Sequence, residues 1–325
     1  MLQEKKRIAV PIMTHPGIEL CGYTVRDAVT SGEAHADAIC ALNDKFPAAA
    51  VTAIMDLTVE AEAFGADVVF TDDDIPNVVG RLVYSYDTVK ALEVPGLDKG
   101  RVGEFLKANA IVRSRIKDKP IYGGCIGPYS LAGRLYDMSE LMMATFLEPD
   151  TVELLLEKCT AFILKYIAKM KETGIDGVIL ADPAAGLISN EDSCKYSTAY
   201  VQRIVDVLQD ENFTIILHNC GNTGHCTDAM IKSGAAALHF GNRIDMVKAL
   251  EECPSDIIVM GNLDPVGVLQ QAEPAAVYEE TMSLLKATAA WPNFVLSTGC
   301  DTPPHIPMEN IKAFYDALDD FNRGI

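Results

Sequence analysis

The sequence predicts a single α/β domain: a (β/α)8 barrel of the TIM type with a short N-terminal extension. Three observations predict it. Eight short apolar runs alternate with stretches of helical spacing from residue 49 onward. The runs are continuous rather than alternating, as expected of parallel strands buried on both faces. No composition shift, low-complexity segment or linker divides the 325 residues. The same alternation also allows an open doubly wound sheet. One domain over 1–325 is the simplest reading, with 1–48 packed on the barrel as the extension.

In order, a charged start leads to a short strand over 8–13, and Gly32 opens a helix over 33–46. The eight barrel strands fall at 49–56, 67–70, 121–126, 176–180, 213–220, 236–240, 257–261 and 294–298. A helical turn or two over 58–64 separates the first pair, and Asp72, Asp73 and Asp74 mark a solvated loop after the second. Helical spacing over 100–116 precedes the third strand, which Pro120 opens, and a long helix over 149–173 stops at Gly174. The later half is more regular, with helices at 191–208, 224–233, 245–252, 275–289 and 308–321.

Acidic residues outnumber basic ones 46 to 27, a formal charge of −19, so a polyanion is repelled and nucleic acid is excluded as a partner. The apolar stretch after the charged start is too short for a signal peptide, and no run approaches the ~18 apolar residues of a membrane span. A soluble, cytoplasmic protein is expected. Nine cysteines, an odd number without a compact framework, suit a reducing compartment with free thiols or metal ligands. Cys21, Cys40, Cys125, Cys159, Cys194 and Cys253 read as small buried hydrophobes.

The active face of such a barrel lies at the C-terminal strand ends. The polar residues that interrupt those ends are Asp56, Asp182, His218, Cys220, Asn262, Asp264, Cys300 and Asp301. Period-2 geometry puts His218 and Cys220 on one side of the strand end, and Gly221 lets the backbone turn away. Cys300 ends the last apolar run. Two cysteines and one histidine are the inventory of a zinc site with one coordination position open. From residue types alone a second reading stands beside it, with both cysteines in the core and His218 a satisfied core histidine. His225 and Cys226 compete as ligands less well, since neighbours on a helix point about 100° apart. His15, His35, His239 and His305 read as structural. Asp56 and Asp182 are the candidates for acid/base work, Asp56 first. Asp182 and Asp264 each precede a proline and also fit turn caps. Asn219, Asn262, Asp264 and Asp301 are the candidates for cofactor contact.

Three blocks carry a family resemblance: MDLTVEAEAFGADV over 55–68; Leu217-His218-Asn219-Cys220-Gly221-Asn222; and Ser297-Thr298-Gly299-Cys300-Asp301, with Pro303-Pro304 and Met308-Glu309-Asn310-Ile311 behind it. From about residue 8 to the C-terminus the chain resembles the uroporphyrinogen decarboxylase superfamily. Within it the chain looks like the cobalamin-dependent branch, the methylcobalamin:coenzyme M methyltransferases. The resemblance implies a (β/α)8 barrel and one Zn2+ per chain on His218, Cys220 and Cys300. It implies methyl transfer from protein-bound methylcobalamin to a thiol such as coenzyme M, with a small corrinoid-binding protein as partner. Bound to zinc, a thiol loses its proton; free, with a pKa of about 8.5, it is only a few per cent ionised at pH 7. The decarboxylases resemble the chain less. Their arginine-rich motif R-Q-A-G-R is replaced over 13–20 by MTHPGIEL, and no arginine stands at a strand end to hold an acidic acceptor. The alternative function is a metal-free lyase, or a degenerate binding member of the superfamily.

Overall fold

The computed structural model describes residues 6–324; the outermost parts of the expected domain, 1–5 and 325, lie outside the described residues. In chain order the strands are β1 (Val51–Thr52), β2 (Asp67–Val69), β3 (Asn77–Val79), β4 (Ile121–Ile126), β5 (Gly177–Ala181), β6 (Thr214–Asn219), β7 (Ala237–Phe240), β8 (Ile258–Leu263) and β9 (Phe294–Thr298). Seven of them make one sheet in the order β1-β4-β5-β6-β7-β8-β9, with every pair parallel. β5 and β9 are buried along their whole length, which explains why these strands read as unbroken apolar runs.

The expected second strand is a correction. β2 pairs antiparallel with β3 in a separate two-stranded sheet, while β1 bonds directly to β4. The physical reason is exposure: Asp67 and Val69 face solvent, and a short loop brings Asn77–Val79 alongside as the nearest available partner. The segment 8–12 lies at the sheet's edge instead. Val10 N–H donates to Leu296 O at 2.9 Å, Leu296 N–H to Ile8 O at 3.1 Å, and Ala49 N–H to Ala9 O at 2.9 Å. The N-terminal segment therefore bonds both β9 and the chain just before β1.

Two apolar clusters follow from this arrangement. The larger packs strands against helices, and the smaller gathers the opposite strand faces, including Ile179, Ile216, Ala237, Met260 and Val295, with Val10 and Ile12 from the N-terminal segment. Strand and helix periods thus sort the residues into an inner and an outer core. Two helices that the sequence reading left out, Pro128–Tyr136 and Met138–Leu147, follow β4. The expected helix over 191–208 is present but changes pitch through a π-turn at Cys194–Thr198. Among the described residues, no helix is long and apolar enough to cross a membrane.

Candidate metal centre

The inner-core positions predict the site. Two residues beyond Ile216 on β6 comes His218, two beyond Ala237 on β7 comes His239, and two beyond Val295 on β9 comes Ser297. Period 2 keeps each on the inner face, one layer nearer the C-terminal ends. His218 and His239 are register partners, and all three side chains are buried.

His218, Cys220 and Cys300 converge, with one donor atom from each lying within 4.8 Å of the others. Cys300 Sγ is 3.8 Å from His218 Nε2. Tetrahedral zinc, with bonds of about 2.3 Å to sulfur and 2.0–2.1 Å to nitrogen, sets its ligand atoms roughly 3.5–3.8 Å apart, so the donor set fits that ion. His225 and Cys226 stay outside the cluster. They precede the helix Thr227–Lys232 and turn toward the Ile188 carbonyl, with His225 Nε2 at 3.2 Å and Cys226 Sγ at 3.5 Å.

Hydrogen bonds fix which nitrogen of His218 is bare. Ser297 Oγ spends its one proton on Val10 O at 2.7 Å, so at 2.8 Å it can only accept from His239 Nε2. Burial, with the neighbouring His218, holds His239 well below its ordinary range and therefore neutral, leaving its Nδ1 as an acceptor. That atom lies 2.7 Å from His218 Nδ1, which must supply the proton. Assigned from this network, His218 presents the Nε2 lone pair toward the cysteines.

The two thiols differ. Cys220 is pulled below its ordinary range, chiefly by its hydrogen bond with Cys300, against the cost of burial. Cys300 is pushed up by the same bond and by burial, so Cys220 ionises first. Both ligand loops are propped from below. Asn219 Oδ1 accepts from Gly221 and Asn222 N–H at 3.0 Å, shaping the turn around Cys220. Asp301 Oδ1 accepts from Thr14 and Thr302 N–H at 2.8 Å, and His15 Nδ1 lies 2.7 Å from Thr302 O, which ties the Cys300 loop to the N-terminal segment. Gly241 touches the backbone of Cys220 so closely that a Cβ there would stand 2.8 Å from its Cα. Asn262 Nδ2 donates to Gly241 O and Ile244 O, both at 2.9 Å, and so holds that glycine in place.

The carboxylates are already engaged. Asp56 Oδ1 accepts from Thr58 N–H and Oγ–H, and Oδ2 meets Arg101 Nη1 at 2.5 Å. Asp182 Oδ1 accepts from Ser130 N–H at 2.7 Å and Oδ2 from Ser197 Oγ at 2.5 Å. Asp264 Oδ1 caps the turn that follows it, through Val266 and Gly267 N–H. Asn262 and Asp264 line a separate cavity of about 340 Å³.

Cys220 and Gly221 line a cavity of about 450 Å³ whose walls are largely apolar, among them Leu57, Ile126, Ala184 and Leu187. Arg134, on the helix Pro128–Tyr136, lines it too. Sequence reasoning missed that arginine because it looked only at strand ends. The signal was present in Gly127-Pro128, a proline-first helix start directly after a strand, with Leu131 and Leu135 at helical spacing. His239, read as merely structural, was findable by the two-residue step from Ala237.

A parallel seven-stranded sheet with a Cys2His cluster at its C-terminal strand ends defines the class, an α/β protein with a TIM-barrel-like fold and a candidate metal centre. The family model described as uroporphyrinogen decarboxylase (URO-D) matches residues 7–321, and the chain belongs to that family. The methylcobamide:CoM methyltransferase MtbA of Methanosarcina mazei is 32% identical over 276 residues, 84% of this chain and 80% of that protein. The uroporphyrinogen decarboxylase of Serratia proteamaculans is 24% identical over 84% of this chain and 79% of its own. Among solved structures, a methyltransferase from Methanosarcina mazei superposes with TM-score 0.88 at 27% identity, covering 97% of this chain and 94% of that one.

Proposed function

We infer that this chain transfers a methyl group from a methylated corrinoid to a small thiol, and that His218, Cys220 and Cys300 hold one zinc ion for the purpose. The observation that carries the reading is the convergence of these three donors within 4.8 Å beside the cavity, in a chain 32% identical to a methylcobamide:CoM methyltransferase. When bound, zinc supplies the Lewis acidity that keeps an incoming thiol ionised at neutral pH.

The protein's own residues do the rest. His218 offers Nε2 because His239 and Ser297 hold its other nitrogen in the N–H form. Asn219, Asn262 and Asp301 set the backbone from which the two cysteines project. Asp56 and Asp182, with their oxygens bonded to neighbours, serve as positioning groups: Asp56 fixes Arg101, and Asp182 fixes the start of the helix that carries Arg134. Asp264 caps its own turn. The apolar walls of the cavity keep competing water from the reacting sulfur.

The same reading takes 8–12 as the eighth stave of a closed (β/α)8 barrel, the whole chain as one domain, and nine free cysteines as the mark of a reducing, cytoplasmic setting. The corrinoid is delivered by a separate small protein. The metal-free lyase has no comparable support, since two cysteines and a histidine drawn together from β6 and the end of β9 give such a reaction nothing to use. The deciding assay mixes zinc-loaded protein with methylcobalamin and 2-mercaptoethanesulfonate and follows the cob(I)alamin spectrum. No methyl transfer by metal-replete protein sinks the reading.

A further inference from the structure

We propose that Cys220 and Cys300 are a redox-reactive pair: when no metal occupies the site, a hydroperoxide joins them in a disulfide, and a dithiol reopens it. The cluster then switches between a metal-binding and a cross-linked state, because both states draw on the same two sulfurs. The inference rests on the ligand assignment above and adds a modification site to it; it does not require methyl transfer.

The first support is proximity that the scaffold enforces. The Sγ atoms of Cys220 and Cys300 lie within 4.8 Å of each other and share a hydrogen bond. β7 and β8 stand between β6 and β9 in the sheet, so only the fold brings the two thiols together. The groups that hold them there are protein groups. Asn219 shapes the turn around Cys220, and Asp301 ties the Cys300 loop to Thr14. The pair therefore stays in register without an ion. A disulfide needs an S–S separation of about 2.05 Å, so closure takes side-chain rotation and a short approach of one backbone. Cys300 can supply that approach, since it stands in the segment 299–307, which is neither helix nor strand.

The second support is access. Cys125, Cys159, Cys226 and Cys253 are buried, and Cys226 turns toward the Ile188 carbonyl, whereas Cys220 lines the open cavity of about 450 Å³. A dissolved hydroperoxide can thus reach Cys220, and Cys300 stands next to it. The Cys220 thiolate attacks the O–O bond, forming a sulfenic acid, while the departing oxygen takes up a proton and leaves as an alcohol, or as water from hydrogen peroxide. The Cys300 thiol then attacks the sulfenic sulfur. The S–O bond breaks, and the hydroxyl leaves as water with the proton of the thiol. Two thiols are oxidised, one hydroperoxide is reduced, and the products are one disulfide, one alcohol and one water. A metal-filled site keeps the sulfurs roughly 3.8 Å apart and engages their lone pairs, so it protects them.

The test maps cysteines rather than activity. The reduced, metal-free full chain is treated with a slight excess of hydrogen peroxide, alkylated after unfolding, and digested without reductant. Seven of the nine cysteines should be alkylated, and one cross-linked peptide pair should join Cys220 to Cys300. Dithiothreitol should return both thiols. Nine alkylated cysteines, or a cross-link between any other two, overturn the proposal. In Cys300→Ser the resolving thiol is gone, so dimedone should trap the sulfenic acid on Cys220; in Cys220→Ser no cross-link should form. The wild-type map decides the proposal even where a variant fails to fold. Chelator competition on the same wild-type samples should show zinc uptake by the reduced chain, its loss after peroxide, and its return after dithiothreitol. Undiminished zinc uptake by the cross-linked chain overturns the switch. If the reduced chain takes up no zinc, the ligand assignment and the functional reading built on it fail, while the peptide map still decides the disulfide.

Discussion

His218 Nδ1 lies 2.7 Å from His239 Nδ1, and this contact decides which face of the His218 imidazole is free. The two ring nitrogens can share it only if one donates. Ser297, committed to Val10 O, forces His239 into the accepting role. His239→Ala removes the acceptor and releases the ring of His218. Zinc affinity should fall about 10- to 100-fold, the usual loss for a group that orients a ligand, while stoichiometry at saturating metal stays at one. Competition with a chromophoric chelator measures it, and unchanged affinity would show that the histidine pair only packs.

Elemental analysis tests the ligands themselves. Near-stoichiometric zinc in wild type should disappear in His218→Ala and in Cys300→Ser, since three protein ligands reduced to two rarely retain the metal against buffer. Loss in the first variant and retention in the second would leave Cys300 in the core and detach β9 from the site.

How far the sequence reveals this site depends on how each residue reaches it. His218, Cys220 and Cys300 were legible because each ends an apolar run, where a polar residue in a buried strand must be explained. Arg134 was not, because the Gly127-Pro128 start and the Leu131 and Leu135 spacing mark a helix, while which of its side chains lines the cavity depends on elements distant in sequence. The parallel sheet was legible from its unbroken strands, but membership of one strand was not. The run at 67–70 is apolar enough for a core, yet it finds an antiparallel neighbour ten residues on, and the edge goes to 8–12. Local composition cannot choose between partners separated by a short loop and by nearly the whole chain.

The ion pair between Arg101 and Asp56 carries a stability prediction. Their side chains are 8% and 0% exposed, and Arg101 also donates to Glu62 Oε2 and Thr58 Oγ1. Arg101→Met leaves a buried carboxylate without its counter-charge and should cost about 3–5 kcal/mol in urea unfolding. The double variant Arg101→Met with Asp56→Asn should recover a substantial part, because an amide still accepts from Thr58 without a charge to compensate. Additive losses in the two variants would mean that the pair contributes little beyond packing.

Glu60 gives the pH dependence. Its side chain is buried, Oε1 accepts from Ile126 N–H at 3.1 Å, and Oε2 has no partner. Burial raises its pKa from 4.5 to about 7. Between those values the folded chain holds a proton that the unfolded chain has released, so this group's contribution to stability falls as pH rises from about 4.5 and levels off above about 7. Across that window the loss amounts to about 3 kcal/mol. Glu60→Gln keeps an acceptor for Ile126 N–H and cannot ionise. Its stability relative to wild type should therefore rise steadily between pH 5 and pH 7 in urea unfolding, whatever the other titrating groups contribute, since they cancel in the difference. A difference that stays constant over that range would mean that Glu60 is already ionised in the folded protein at pH 5, and that Tyr166 or a neighbouring hydroxyl supplies the partner Oε2 lacks.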